Sequence, residues 1–477
     1  MKSTERKHLY ITTTLPYVNG RPHIGYALEV VEADVIARMA RLRGDEVVFN
    51  IGTDEHGAKI YEKAQELGMT PQAYCDEMTL HFRALKDVLD ISFTHFIRTT
   101  DASHIGAAEE FWKRCEANGD IYKKSYEMKY CIGCELEKTD SDLVDGRCPD
   151  HPNRALEIRE EENYFFRFSK YQEPLLALYR TRPDFVVPAK RMNEIRAFVE
   201  RGLQDFSVSR LMKKMPWGIP VPDDAAHVMY VWFDALVNYI STLGWPANQE
   251  NFEKFWPGVQ IAGKDNLRQQ SAMWQAMLLS AGLKPSRQIL IHGQITSAGQ
   301  KMSKSLGNVI APEDLVEKLG RDGARYILLS VAPFGEDADL TMERMIEKYN
   351  ADLANGLGNL VSRVLKLAES LGAVNSQQST VNREIPEELI GLIEQYQFSE
   401  ALQYIWKKIS EANKYMDETK PWVLVKADRA QFETVMRKLL LDIEGIALDL
   451  QPFFPETSEK ILQALADGKT APLFQRI

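Results

Sequence analysis

Long apolar runs are missing from this chain of 477 residues. None approaches the roughly 20 residues that a helix needs to cross a bilayer, which excludes a helical membrane protein. A basic excess is missing too. Lys and Arg number 58 against 68 Asp and Glu, a formal net charge of −10. That excludes a protein that coats nucleic acid non-specifically, because such binding runs on cations that neutralise phosphates. Local clusters (Arg38, Arg41 and Arg43; Lys407 and Lys408) leave room for a selective RNA reader, although a solvated helix face is the ordinary reading of each. Cysteine is scarce, at five residues. An odd count with no apolar leader behind Met1 argues against a disulfide framework, and a cytoplasmic protein is expected. No internal repeat or low-complexity tract interrupts the chain. Hydrophobic residues at 44% and charged residues at 26% are ordinary for a globular protein, and the length calls for two to four domains.

What is present reads as α/β. Residues 8–17 are rich in β-branched and aromatic side chains and predict a strand. Asn19-Gly20-Arg21-Pro22 predicts a turn, and a helix follows from His23 to about Arg43, where Ile24, Leu28, Val31, Val35, Met39 and Leu42 make one apolar stripe. Gly44 closes it, and residues 47–51 predict the next strand, leading into Gly52-Thr53-Asp54-Glu55-His56-Gly57. Strand, helix, strand opens a parallel sheet. From about Asn118 to Val228 the pattern is irregular. Strand signals resume at residues 228–233, 259–262 and 288–292, with a helix from about Asn266 to Ala281 capped by Gly282. Beyond Thr341 the text is helical: Leu353, Leu357, Leu360, Val364 and Leu367 form a stripe, and residues 385–416 and 432–450 are amphipathic, with a polar connection at 375–382. The expected architecture is a Rossmann-like parallel sheet split by an insertion and followed by an α-helical bundle. The division is 1–117 and 229–296 for the two catalytic halves, 118–228 for the insertion, 297–350 for a lysine loop and stem-contact region, and 351–477 for the bundle.

Four constellations carry chemistry. Pro22-His23-Ile24-Gly25 stands where a strand hands over to a helix, and a helix N-terminus there favours phosphate. Gly25 lets a flat base or a phosphate approach the backbone, and His23 can donate to a phosphoryl oxygen. Lys301-Met302-Ser303-Lys304-Ser305 sits on a loop between Gly299 and Gly307. Two cations on a mobile loop suit charge that develops on a phosphoryl group and a departing pyrophosphate. Cys131-x-x-Cys134, then Cys148-x-x-His151, has the spacing of a structural tetrahedral zinc site, whose four protein ligands leave no open position for catalysis. Asp54 follows the second strand and faces the same crevice as His23, where a carboxylate can pair with an ammonium group. Trp232, Tyr239 and Trp274 are candidates for an apolar pocket, or equally for core.

Together these segments resemble the class I aminoacyl-tRNA synthetases, and within them the methionyl-tRNA synthetase family, over nearly the whole chain. Residues 14–20 followed by Pro22-His23-Ile24-Gly25 look like that family's first signature, residues 52–57 like its second-strand loop, and residues 301–305 match its KMSKS signature. The cysteine cluster resembles its one-knuckle connective insertion, and residues 205–210 and 232–235 its second half-site. The resemblance implies that methionine attacks the α-phosphate of ATP and that the methionyl group then passes to tRNA(Met), with Mg²⁺ accompanying ATP and one structural Zn²⁺ per chain. It implies ATP contacts at His23, Gly25, Tyr26, Gly263, Asp265, Ile295, Lys301 and Lys304, with His23, Lys301 and Lys304 catalytic. It places methionine against Leu15, Tyr17, Asp54, Arg210, Trp232, Ala235, Tyr239, Gln270 and Trp274, and the anticodon against Asn359, Arg363 and Trp422. The sequence departs from the family where Tyr26 replaces a second histidine, where Asn266 and Gln270 replace an aliphatic residue and a histidine, and where Leu236 replaces a proline. With Ile477 soon after the bundle, a monomer is expected. Two alternatives stay open: a class I enzyme for another apolar amino acid, disfavoured by an insertion too short to edit, and a tRNA-binding relative without catalysis.

Overall fold

The computed structural model describes residues 7–131, 136–138, 143, 145–149, 153, 155–297, 299–301, 309–371, 385–468 and 473–477. Its centre is a six-stranded sheet in which every pairing is parallel. In spatial order the strands are β3 (His95–Arg98), β2 (Glu46–Thr53), β1 (His8–Thr12), Val259–Gly263, Gln288–His292 and Val186–Val187. The chain winds outward from β1 in one direction and, much later, from Val259–Gly263 to Gln288–His292 in the other, where Val186–Val187 already forms the edge. The reversal falls between β1 and Val259–Gly263, where an open α/β sheet leaves a crevice beyond its carboxyl ends. Ile11, Phe49, Ile51, Ile261 and Leu290 are fully buried, each worth about 1.5–3 kcal/mol relative to an exposed side chain.

Helix α1 (Ile24–Leu42) forms as its stripe predicts, with His23 as N-cap. Its other face is buried as well, including Glu29, Glu32 and Asp34. The helices Arg321–Ser330 and Glu387–Glu394 pack on it, so one helix serves both the sheet and the C-terminal region. Gly52 lets β2 lie close to its neighbour: a Cβ there would stand 2.0 Å from the Ile97 carbonyl oxygen and 2.9 Å from Leu15.

The expected strand over 8–17 ends at Thr12. The strand expected at 228–233 lies earlier, at Asp224–Met229, and Val231–Leu236 is helical. The span 118–228 is far from irregular. Its spine is a long antiparallel pair, β4 (Ile121–Cys131) with Glu157–Phe166, registered from Ile121 opposite Phe166 to Tyr130 opposite Glu157. Within the same span Val186–Val187 returns to the edge of the main sheet. The helix expected at 266–281 starts as a 3₁₀ turn, passes through a wider π turn at Gln269–Met273, and ends before Gly282, whose φ of 72° closes it. After Thr341 the described residues are helical, with long helices Phe398–Thr419 and Arg429–Leu450 packed together. The polar connection at 375–382 lies outside the described residues. No helix among the described residues is long and apolar enough to cross a membrane.

Candidate active site

The crevice is built from the loops that leave β1 and β2. Tyr17 and Asp54 pair across it in a single parallel bridge. At the start of α1 the Gly25 amide donates to His23 Nδ1 at 3.0 Å. An imidazole that accepts at Nδ1 carries its proton on Nε2 when neutral, so exposed His23 is set up as a donor. Tyr26, expected to contact ATP, is set differently from exposed His23. It is buried, packs edge-on against Phe82, and turns its hydroxyl toward Thr13 Oγ1 at 3.4 Å, inside the core. Burial, then the charge of Glu29, pushes its phenol well above its ordinary range, so it is a neutral core tyrosine.

Asp54 is buried, and its Oδ1 has no hydrogen-bond partner. Burial, reinforced by the nearby Asp234 carboxylate, raises its pKa well above the ordinary carboxylate value. Among the side chains expected around methionine, Tyr17 bridges to Asp54, and Trp232 and Ala235 share the helix of the neighbouring Asp234. Tyr239 and Trp274 are buried with ring centres 5.9 Å apart, and Trp274 stacks on Phe111. Gln270 Nε2 donates to the Tyr239 hydroxyl at 2.6 Å, while Gln270 Oε1 and Trp274 Nε1 are buried without partners. Leu15 lies against Gly52, and Ala235 is half-buried on the helix that also carries exposed Trp232. Arg210 stacks over Tyr230 at 4.2 Å and donates to Ser207 Oγ and the Ser209 carbonyl.

Three buried polar networks hold these groups, and all three join residues too distant in sequence for periodicity to reveal. Behind Asp54, Glu55 accepts from Thr53, Thr79, Thr100 and both Nε and Nη2 of Arg98. Beneath the pocket, Asp234 accepts from His56 at 2.6 Å and from His104 at 2.8 Å. Burial opposes the charge on Asp234, but the two histidines hold its carboxyl below the usual range. Under the nucleotide end, Glu29 accepts from the Thr14 amide and hydroxyl and meets His292 Nε2 at 3.0 Å. Burial acts to lower His292, yet the Glu29 carboxylate prevails and raises it to about 9. Glu32 is raised to about 8 by burial, with His292 pulling down and Glu29 pushing up. This network joins α1 to the first signature on one side and to Gly263 on the other, since a Cβ on Gly263 would lie 3.4 Å from His292 Nε2.

Beyond Gly263, exposed Asp265 accepts from Gln294 at 2.7 Å and Lys264 pairs with Asp337. Ile295 is buried on a short strand, Ile295–Ser297, that pairs with Gln300–Lys301. This pairing places the backbone of Lys301; Lys304 lies outside the described residues. In the helical region Arg363 stands 5.5 Å over the ring of Trp422, which is 42% exposed, and Asn359 is exposed one turn earlier on the same helix. Of the four expected zinc ligands, Cys134 and His151 lie outside the described residues. Cys131 and Cys148 are both buried, yet belong to neither large hydrophobic cluster. Among the described residues no group of three metal-ligating side chains occurs.

Known proteins share this arrangement. A family model described as tRNA synthetases class I (M) matches residues 9–155 and 151–365, and one for the anticodon binding domain of methionyl tRNA ligase matches residues 377–473. The methionine–tRNA ligase of Caldanaerobacter subterraneus subsp. tengcongensis is 43% identical over 96% of this chain and 74% of its own length. That of Thermosynechococcus vestitus is 43% identical over 98% of this chain and 92% of its own. The solved Mycobacterium tuberculosis methionyl-tRNA synthetase in complex with methionyl-adenylate superposes with a TM-score of 0.86 at 39% identity, covering 96% of this chain and 93% of that one. With family models matched over residues 9–365 and 377–473 and relatives at 43% identity over nearly its whole length, the chain belongs to the methionyl-tRNA synthetases of class I.

Proposed function

We propose that this enzyme condenses methionine with ATP to give methionyl adenylate and pyrophosphate, then transfers the methionyl group to the 3′-terminal adenosine of tRNA(Met). The observation that carries the reading is Asp54. A buried carboxylate with one unpartnered oxygen, bridged to Tyr17 and near the helix that carries Trp232 and Ala235, suits the ammonium group of an apolar amino acid. Tyr239 and Trp274 then face the thioether, and Leu15, Tyr17, Trp232 and Ala235 complete the wall. Gln270 fixes the Tyr239 hydroxyl by donating to it, which leaves the phenolic proton to point at substrate.

The methionine carboxylate attacks the α-phosphorus, the bond to the β-phosphate oxygen breaks, and pyrophosphate departs. His23 donates from Nε2 to a phosphoryl oxygen at the α1 N-terminus, and Gly25 gives the nucleotide room. Gly263 and Asp265 hold the ribose, and the backbone at Ile295 reads adenine. Lys301 and Lys304 neutralise the charge that grows on the leaving pyrophosphate, a contribution made mostly in the transition state. Mg²⁺ bound with ATP supplies further phosphate neutralisation. Asn359, Arg363 and Trp422 receive the anticodon, an exposed indole under a guanidinium being a stacking surface for an unpaired base. A structural Zn²⁺ on Cys131, Cys134, Cys148 and His151 closes the tip of the insertion; two buried thiols outside any hydrophobic cluster fit that role.

ATP–pyrophosphate exchange with a panel of amino acids tests the reading. Methionine drives exchange, Lys304→Ala lowers the rate by about 10²-fold or more, and Trp422→Ala leaves exchange intact while slowing tRNA charging. Exchange driven by leucine, or charging without exchange, overturns it.

A further inference from the structure

The basic cluster of Arg38, Arg41 and Arg43 has no part in the reaction, and its members are not alike. Arg38 pairs with Asp34 at 2.7 Å and with Asp90 at 3.3 Å, and Arg43 pairs with Glu394. Arg41 makes no ion pair among the described residues. Its Nη1 donates to the Ser92 hydroxyl at 2.5 Å and its Nη2 to the Ser92 carbonyl at 3.1 Å. A guanidinium has five N–H groups, so the remaining ones, Nε–H among them, have no acceptor there. Asp34 serves Arg325 as well as Arg38. Three guanidiniums therefore share two carboxylates, in a chain whose net charge is −10.

Arg41 lines a cavity of about 690 Å³ between the end of α1 and the helix Pro455–Asp467. Ligand pockets run from about 300 to 1,000 Å³. This one is remote from the crevice, since a rise of about 1.5 Å per residue puts Arg41 about 27 Å along α1 from His23. Its apolar surface comes from both helices: Leu42, which is 43% exposed, on one side, and half-buried Leu462 and Pro455 on the other. Gln451 and Gln463 add amides that can both give and accept hydrogen bonds.

The charges select the ligand. Arg41 is half-buried, and burial lowers its pKa, with Asp34 opposing and Arg38 adding to the fall. An anion against its open N–H groups supplies the counter-charge that Ser92 cannot, and a carboxylate fits that fork with two parallel hydrogen bonds. Glu459 is the one carboxylate in the lining, exposed and in no ion pair among the described residues. It disfavours a dianion such as phosphate. We propose that this cavity binds a molecule carrying a single carboxylate on an apolar body, the carboxylate forked on Arg41 and the body between Leu42 and Leu462.

Two sources share that chemistry, a free organic acid and the C-terminus of a peptide. Octanoate probes the first, and an acetylated tripeptide ending in leucine probes the second. Calorimetric titration of the full chain is expected to show one site for at least one of them, and the tighter of the two names the source. Arg41→Met is expected to weaken binding about tenfold, as loss of a charge-assisted fork implies. Gln463→Glu is expected to weaken it too, by placing a like charge beside the carboxylate. The C-terminal amide of the tripeptide and inorganic phosphate are each expected to bind at least about tenfold more weakly than the acid. Absence of binding by both acids overturns the proposal, as does an affinity unchanged in both variants, or phosphate binding as tightly as the acids. Methionine is itself an apolar carboxylate, so the catalytic pocket is tested separately by pyrophosphate exchange. Neither acid is expected to raise the KM for methionine, and a rise that persists in Arg41→Met would put the acid in that pocket and overturn the assignment. If Arg41→Met loses exchange through misfolding, exposed Gln463→Glu decides.

Discussion

Asp54 is a carboxylate that lacks a counter-charge until substrate arrives. The groups packed around it are Asp234 and Glu55, both acidic, with His56 committed to Asp234 and neutral Tyr17 across the bridge. Its raised pKa means that the empty site keeps the protonated form to higher pH than an ordinary carboxylate does, and an incoming ammonium favours the ionised one. Methionine binding is therefore coupled to proton release. Affinity is expected to rise with pH through a range above the ordinary carboxylate value of about 4, by at most tenfold per pH unit while Asp54 starts protonated. Calorimetric titration with methionine in two buffers of different ionisation enthalpy measures the released proton directly. A buffer-independent heat just above the ordinary carboxylate value would refute the coupling, and Asp54→Asn should abolish both the release and most of the binding. The position of Asp54 was legible in the sequence, because it follows a recognisable strand. Its electrostatic surroundings were not: Asp234 lies on a helix that begins inside the expected strand 228–233 and runs past it, and His104 comes from a helix the sequence reading did not mark. Tyr26 shows the opposite limit. Its place in a signature suggested a ligand contact, but the helical phase at that position points into the core.

At the scale of elements, four of the six parallel strands and the first helix were legible because their apolar residues keep a clean period, whereas His95–Arg98 and Val186–Val187 were not marked. The insertion was not. Its two longest strands carry charged residues on both faces, as in Lys123-Lys124 and Glu160-Glu161-Glu162, so the alternation that marks a half-buried strand is lost. Ten registered pairs between β4 and Glu157–Phe166 hold it instead, and the end of β4 delivers Cys131 to the hairpin tip. The tetrahedral metal site proposed for this insertion would be a source of stability there. Cys131→Ser is expected to remove the bound zinc, from about one per chain to a small fraction of that, by elemental analysis of dialysed protein. It should lower the thermal midpoint while adenylate formation in the cold persists. Full metal retention would show that the ligand set is wrong.

At the scale of the whole molecule, one arginine joins the catalytic sheet to the helical region. Arg325 is fully buried. Its Nη1 lies 2.8 Å from Asp34 Oδ2 on α1 and donates to the Leu89 carbonyl at 3.0 Å. Nε donates to Phe453 and Nη2 to Pro452, both at the turn before the last helix. Asp34 also accepts from Arg38 and from the Ser92 amide and hydroxyl. Burial works against its charge, but Arg325 and then Arg38 hold the carboxyl below its ordinary value. No pattern in the sequence marks this hub, since its members are spread from residue 34 to residue 453. Arg325→Met keeps much of the volume and strands one carboxylate and three carbonyls, so it is expected to destabilise the protein by about 3–5 kcal/mol. The sign with pH follows from the lowered pKa of Asp34. Its contribution is complete above about pH 4, the unfolded value, and fades as pH falls through the lower folded value. The gap between wild type and Arg325→Met in denaturant midpoint should therefore be widest near neutrality and narrow below about pH 4. A gap under about 1 kcal/mol at pH 7, the level of an exposed ion pair, would mean that the two halves are held together by their apolar contacts, and that Arg325 merely fills its site.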